Sequence, residues 1–232
     1  MPTRTASRRL AAAAIAVGAS AAILAPTAHA ADASEVVAKK PAKLTVASYQ
    51  AYLKKQKTPE AKKALKGFSA LTKGQQATFV QDLQNRKIYE ALLGQVEGRI
   101  GQPRTAIDPH NSEVRFVTKA STAVGKDKRR TTTVRFTVTE EIFKIPVTAE
   151  TISISYPTAG NGPKRATATA KVANVNAAIA VTHNRVSVKG YGAQTYWSAE
   201  PQVASFGKAA YKKEHVLGSK VTYRASLTNN ED

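Results

Sequence analysis

At about Glu113 the hydrophobic period of the chain changes, and that change limits the folds open to it. Upstream, apolar residues recur every three or four positions, which is the spacing of one helix face. Downstream they alternate, which is the spacing of one sheet face. Helices first and strands afterwards, without alternation of the two, argues against a parallel α/β fold. The expected class is α+β: a short N-terminal helical bundle followed by an antiparallel β-sandwich, with a closed barrel as the alternative for the stranded part.

The helical region is expected over residues 45–100. Tyr49, Tyr52 and Leu53 share one helix face. Thr58-Pro59 reads as an N-cap followed by proline at the first helical position. Thr72 with Gln75 three residues on has the spacing of a capping box. Asn85 ends that helix or caps the next. Leu65, Phe68, Phe79, Leu83, Ile88 and Leu92 are the expected core. Gly94, Gly98 and Gly101 close the region. Residues 101–112, with Pro103 and Pro109 and no sustained period, read as a linker.

Seven or eight short strands are expected over residues 113–228, with a polar tail at 229–232. Val134-Phe136-Val138, Ile152-Ile154-Tyr156 and Val221-Tyr223-Ala225-Leu227 are the clearest alternations. Turn signals separate the runs, among them Gly125-Lys126-Asp127-Lys128, Gly160-Asn161-Gly162-Pro163 and Gly218-Ser219.

Residues 1–30 have the grammar of a secretory signal peptide. Arg4, Arg8 and Arg9 precede an apolar run, and Ala28-His29-Ala30 offers a small-x-small cleavage site. The run is short for a membrane span, and no transmembrane segment is expected in the mature form. A flexible basic arm is expected over residues 31–44. The chain is therefore read as secreted and extracellular. It has no cysteine, so disulfides, zinc ribbons and thiol nucleophiles are excluded, and whatever core it forms must hold without covalent staples.

The chemistry-bearing residues are sparse. His110, His183 and His215 lack ligand spacing, so no metal and no cofactor is expected. No Gly-x-Ser-x-Gly elbow and no phosphate-binding glycine motif occurs. Glu140 and Glu141 are adjacent in a strand, so they point to opposite faces and are not a facing carboxylate pair. Tyr191, Tyr196 and Trp197 are the densest aromatic group, and form a possible platform for a sugar or a partner side chain.

Charge is the strongest functional signal. There are 35 Lys and Arg against 16 Asp and Glu, a formal net charge of +19 that falls to +16 when the three arginines of the signal are removed. From Lys39 to Lys66 nine lysines face one acid, Glu60. A second cluster holds Lys126, Lys128, Arg129, Arg130 and Arg135, and a third holds Lys208, Lys212, Lys213 and Lys220. Lys54, Lys55, Lys62, Lys63, Lys66, Lys128, Arg129 and Arg130 are the expected contacts to an anionic partner. That partner is an anionic envelope polymer such as a teichoic acid, a lipid headgroup or an acidic protein. No sequence-specific nucleic-acid motif accompanies the charge. The expected function is non-catalytic binding of such a partner, in a bacteriocin-like antagonist as one version. An inhibitor or accessory protein of a secreted enzyme, and a hydrolase with an unrecognised site, are the alternatives.

Overall fold

Each helix starts where its cap dictates. The computed structural model describes residues 40–126, 130–159 and 165–230. The expected signal peptide, most of the arm, Lys128, Arg129 and the Gly160–Pro163 turn lie outside the described residues. Thr45 caps α1 (Val46–Lys55) and Thr58 caps α2 (Pro59–Ser69), which carries proline in its first turn. Thr72 and Gln75 close a capping box on α3 (Lys73–Leu83), and Asn85 caps α4 (Arg86–Ala91). In each cap a side-chain oxygen accepts from a backbone N–H that has no partner within the helix.

The strands form two antiparallel sheets. The first contains β1 (Gly94–Arg99), β7 (Ile179–His183), β8 (Ser187–Lys189), β9 (Gly192–Pro201), β10 (Ala210–Gly218) and β11 (Thr222–Asn229), in the order β1-β11-β10-β9-β7, with β8 also on β9. The second is a meander of β2 (Arg104–Pro109), β3 (Val114–Val124), β4 (Thr131–Ile142), β5 (Ile145–Pro157) and β6 (Thr167–Asn174). Nine of these eleven strands fall in the region read as stranded from its alternation.

The other two, β1 and β2, correct the expected boundary. Gly94 and Gly98 end no helix but sit inside β1. A Cβ on Gly94 would lie 2.6 Å from Thr118 Oγ1 and 2.7 Å from Val138 Cγ2, and one on Gly98 would lie 2.7 Å from the Tyr223 hydroxyl. The glycines let a strand pass close to bulky neighbours. Residues 101–112 contain β2, which is exposed along its whole length. An edge strand with no buried face has no reason to alternate, so its sequence resembles a linker.

The helices do not form a self-contained bundle. Tyr49, Phe68 and Phe79 pack on one another with ring centroids 5.1–5.5 Å apart, but this group continues into the sheet interior as one buried core. Gly67 of α2 lies against Ile145 at the start of β5, the Asn176 amide donates to Leu83 O at 3.0 Å, and Arg86 donates to Ala209 O at 3.1 Å. An amphipathic helix must cover its apolar stripe, and here the sheets supply much of that cover. The last residues of the expected arm are also held. Gln84 exchanges two hydrogen bonds with the Leu44 backbone, and Ala204 and Ser205 donate to Pro41 O and Ala42 O.

A shared core makes a testable prediction. Phe68→Ala removes a fully buried ring and is expected to destabilise by about 3–5 kcal/mol. Helix and strand signals should be lost in one urea transition. A separate early loss of helix alone would mean that the helices hold together independently.

Candidate functional site

The interior contains ionisable groups where apolar residues are the rule. On β10 the inner face reads Ala210, Lys212, Glu214, Val216, and all four are buried. Glu140 of β4 and Glu150 of β5 face inward from the other sheet and are no more than 1% exposed. Strand parity alone puts them there. Lys212 shares the face of Ala210 and Val216, Glu140 that of Phe136 and Val138, and Glu150 that of Ile152 and Ile154.

These groups are tied to named partners. Tyr89 of α4 donates its hydroxyl to Glu150 Oε1 at 2.5 Å, and Trp197 donates Nε1–H to Glu214 Oε2 at 3.0 Å. Lys212 Nζ donates to Glu90 O at 3.2 Å and to Asn229 Oδ1 at 3.0 Å, and lies 4.9 Å from the centre of the Tyr89 ring. The Lys212 charge acts on Glu150 and Glu140 and not on Glu214, and burying unbalanced charge is expensive. Burial therefore pushes Glu140 up to about 8, outweighing the Thr148 hydroxyl and the Lys212 charge. Burial raises Glu150, against the Lys212 charge and the Tyr89 hydrogen bond. Burial, then the Glu150 charge, raises Glu214 well above the carboxylate range. Burial also lowers Lys212, against the pull of Glu150, Glu140 and Glu90. At neutral pH the cluster favours protonated carboxyls over a set of bare charges.

A second feature lies at one end of the sheets. Arg99 at the end of β1, Arg130 ahead of β4 and Lys220 in the β10–β11 turn line one open pocket of about 610 Å³. Thr132, Thr158 and Thr222 add hydroxyls to its wall, and no acid among the described residues lines it. The backbone here is fixed. Arg130 adopts a left-handed φ of 49°, and Thr158 donates both its N–H and its hydroxyl to Arg130 O. Ile100 N–H donates to Val221 O at 2.8 Å, joining the end of β1 to the β10–β11 turn. Tyr156 fills the space beside Gly218 and donates to Ser219 O at 2.9 Å, which holds that turn in place.

The residues singled out from sequence are distributed as follows. Lys54 and Lys55 end α1, and Lys62, Lys63 and Lys66 are exposed on α2. Because α2 packs at the β4–β5 hairpin, these lysines lie at the opposite end of β4 from Arg130, roughly 40 Å away along the strand. Lys63 shares a smaller cleft with Lys119, but Glu60 and Glu141 line it too. The third cluster divides: Lys208 and Lys220 flank opposite ends of β10, and Lys212 is buried. The aromatic platform is not assembled. Tyr196 is exposed, Trp197 on the other face of β9 is fully buried, and Tyr191 packs on Tyr156 at 4.9 Å. Glu140 is buried, whereas Glu141 faces the other way and pairs with Arg115 at 2.6 Å. His110, His183 and His215 stay apart, and among the described residues no three His, Asp or Glu side chains are grouped to hold a metal ion. Arg99 was missed because it stands alone in sequence. Lys212 and Glu214 were read as surface charge although their parity with Ala210 and Val216 marks them as interior.

The buried carboxyls fix the sign of a pH effect. Between the ordinary carboxyl value of 4.5 and about 8, the folded state holds protons that the unfolded chain has released. Stability from these groups is full below that window and is lost as the pH rises through it, at roughly 1 kcal/mol per pH unit for each fully titrating carboxyl. Glu140→Gln keeps the shape of the neutral acid and removes its titration. It is expected to flatten the decline in urea-derived stability between pH 5 and pH 8, and an unchanged slope would show that Glu140 is ionised in the folded protein. Comparison with protein-family models, curated proteins and solved structures finds no match to this chain.

Proposed function

We propose that the protein is exported and acts without catalysis, binding an anionic polymer of the cell envelope through the pocket formed by Arg99, Arg130 and Lys220. The observation that carries this reading is the convergence of three cations, from three separate chain segments, in a cavity with no acid among its described lining residues. Guanidinium forks suit phosphate and carboxylate oxygens, and a backbone fixed in advance lowers the ordering cost of binding. The exposed lysines of α1 and α2 supply further contacts at the other end, which a long polymer reaches and a small anion does not. The expected export signal and the net charge of +16 left after its removal support the same reading.

Arg99→Glu with Lys220→Glu is expected to weaken binding to immobilised teichoic acid roughly tenfold or more at low salt, with thermal stability nearly unchanged, because both side chains are exposed. Lys62→Glu, Lys63→Glu and Lys66→Glu together should weaken binding to the long polymer and leave binding of short fragments at the pocket unaffected. Binding of the parent protein that is absent at low salt, or independent of salt, contradicts the reading. Growth inhibition of cells that bind the protein separates an antagonist from an adhesive protein.

A further inference from the structure

Lys212 and Asn229 stand directly opposite each other on β10 and β11. On β11 the inner face reads Tyr223, Ala225, Leu227 and then Asn229, so Asn229 is the last inward position at the end of the sheet. Lys212 is completely buried, and its Nζ lies 3.0 Å from Asn229 Oδ1. The amide carbon is one bond further away, within about 4 Å, so a rotation of the amide brings the two reacting atoms into contact. Beyond the pair, Asn230 N–H donates to Tyr211 O at 3.0 Å, which closes the ladder and holds the register.

We propose that Lys212 and Asn229 react within the folded chain to form an isopeptide bond between Nζ and the side-chain carbonyl carbon, with release of ammonia. The reaction needs a neutral amine, an amide carbonyl held against it, and a carboxyl group to move a proton. Burial disfavours the ammonium and brings Lys212 down to about 8, so a fraction of the amine is neutral near neutral pH and the fraction grows as the pH rises. The charge facing Lys212 comes from Glu150 first, then Glu140 and Glu90. Glu150 is held by Tyr89, whose ring lies under Nζ, and we assign the proton transfer to it.

The step balances without an oxidant or reductant. The lone pair of Nζ attacks Cγ, and the C–N bond forms while the carbonyl electrons move to Oδ1. The Glu150 carboxyl takes a proton from Nζ and returns one to Nδ2. The carbonyl re-forms, the Cγ–Nδ2 bond breaks, and ammonia leaves. The cleft lined by Arg86, Glu90, Tyr211 and Asn229 gives it an exit. The carboxyl ends in its starting state. With no cysteine in the chain, this amide gives the protein a covalent link that it cannot make by sulfur chemistry.

The test is tryptic peptide mapping of the purified full chain by mass spectrometry. Trypsin does not cut after an acylated lysine, so the peptide 209–213 should remain whole. It should be joined to the C-terminal peptide 225–232, with a mass about 17 Da below their sum, the mass of one ammonia. Asn229→Ala replaces an exposed residue, is expected to fold, and should yield peptide 209–212, cut after the free lysine, and a separate C-terminal peptide 225–232. Lys212→Arg should do the same. Glu150→Gln should fold, as judged by its circular dichroism, and link at least tenfold more slowly. Separate, unmodified peptides from the folded parent chain overturn the proposal, and linking of Glu150→Gln at the parental rate overturns the role given to Glu150.

Discussion

The structure depends on the burial of Lys212 among three glutamates. Both sheets and α4 meet at this point. β10 supplies Lys212 and Glu214, β4 and β5 supply Glu140 and Glu150, α4 supplies Tyr89, and β9 supplies Trp197. An apolar core of the same size tolerates small shifts, whereas a buried polar group is costly when its partner is misplaced. The cluster therefore specifies how α4 sits on the sheets. It exacts a cost in stability that grows as the pH rises, because the carboxyls are most comfortable when protonated.

Much of this was legible in the sequence. The caps at Thr58 and Thr72 were visible, and Asn85 as one of two readings, because capping is a local interaction between neighbours; the Thr45 cap of α1 was not marked. Strand alternation was visible in β4, β5 and β11, where the buried face is apolar, and was missed in β10, whose buried face carries Lys212 and Glu214. What was not legible depends on contacts between distant residues. β1 looked like the end of a helical region because its glycines answer to Thr118, Val138 and Tyr223, far away in sequence. β2 looked like a linker because it buries no face. The interior ions were not recognised: Lys212 lay in a run of charge that suggested solvent, although its parity with Ala210 and Val216 places it on the inner face.

The cationic surface shows the same division. Clusters along the sequence are not clusters in space, since the lysines of α2 and the arginine before β4 lie at opposite ends of one long strand. The pocket with the clearest bias toward anions draws on Arg99, Arg130 and Lys220, of which Arg99 belonged to no sequence cluster. Dense charge on the helices and a preformed pocket at the far pole are different devices. Diffuse charge attracts at a distance with little demand on geometry, whereas converging cations on a fixed backbone are a geometry-dependent device.

The strand order also has a consequence for how the chain reaches its native state. β1 joins its sheet only through β11, the last strand, which lies between β1 and β10. The sheet therefore cannot be completed while the C-terminal residues are still being made or are still in transit. Until then β1 has an open edge and the inner row of β10, with its lysine and glutamate, has no cover on that side. Pairing across so long a stretch of chain is slow, because loop closure precedes any reward from contact. The last inter-strand pairing of this sheet, β1 on β11, is therefore also the one with the widest separation along the chain, and it closes the row of strands over the buried lysine and glutamate.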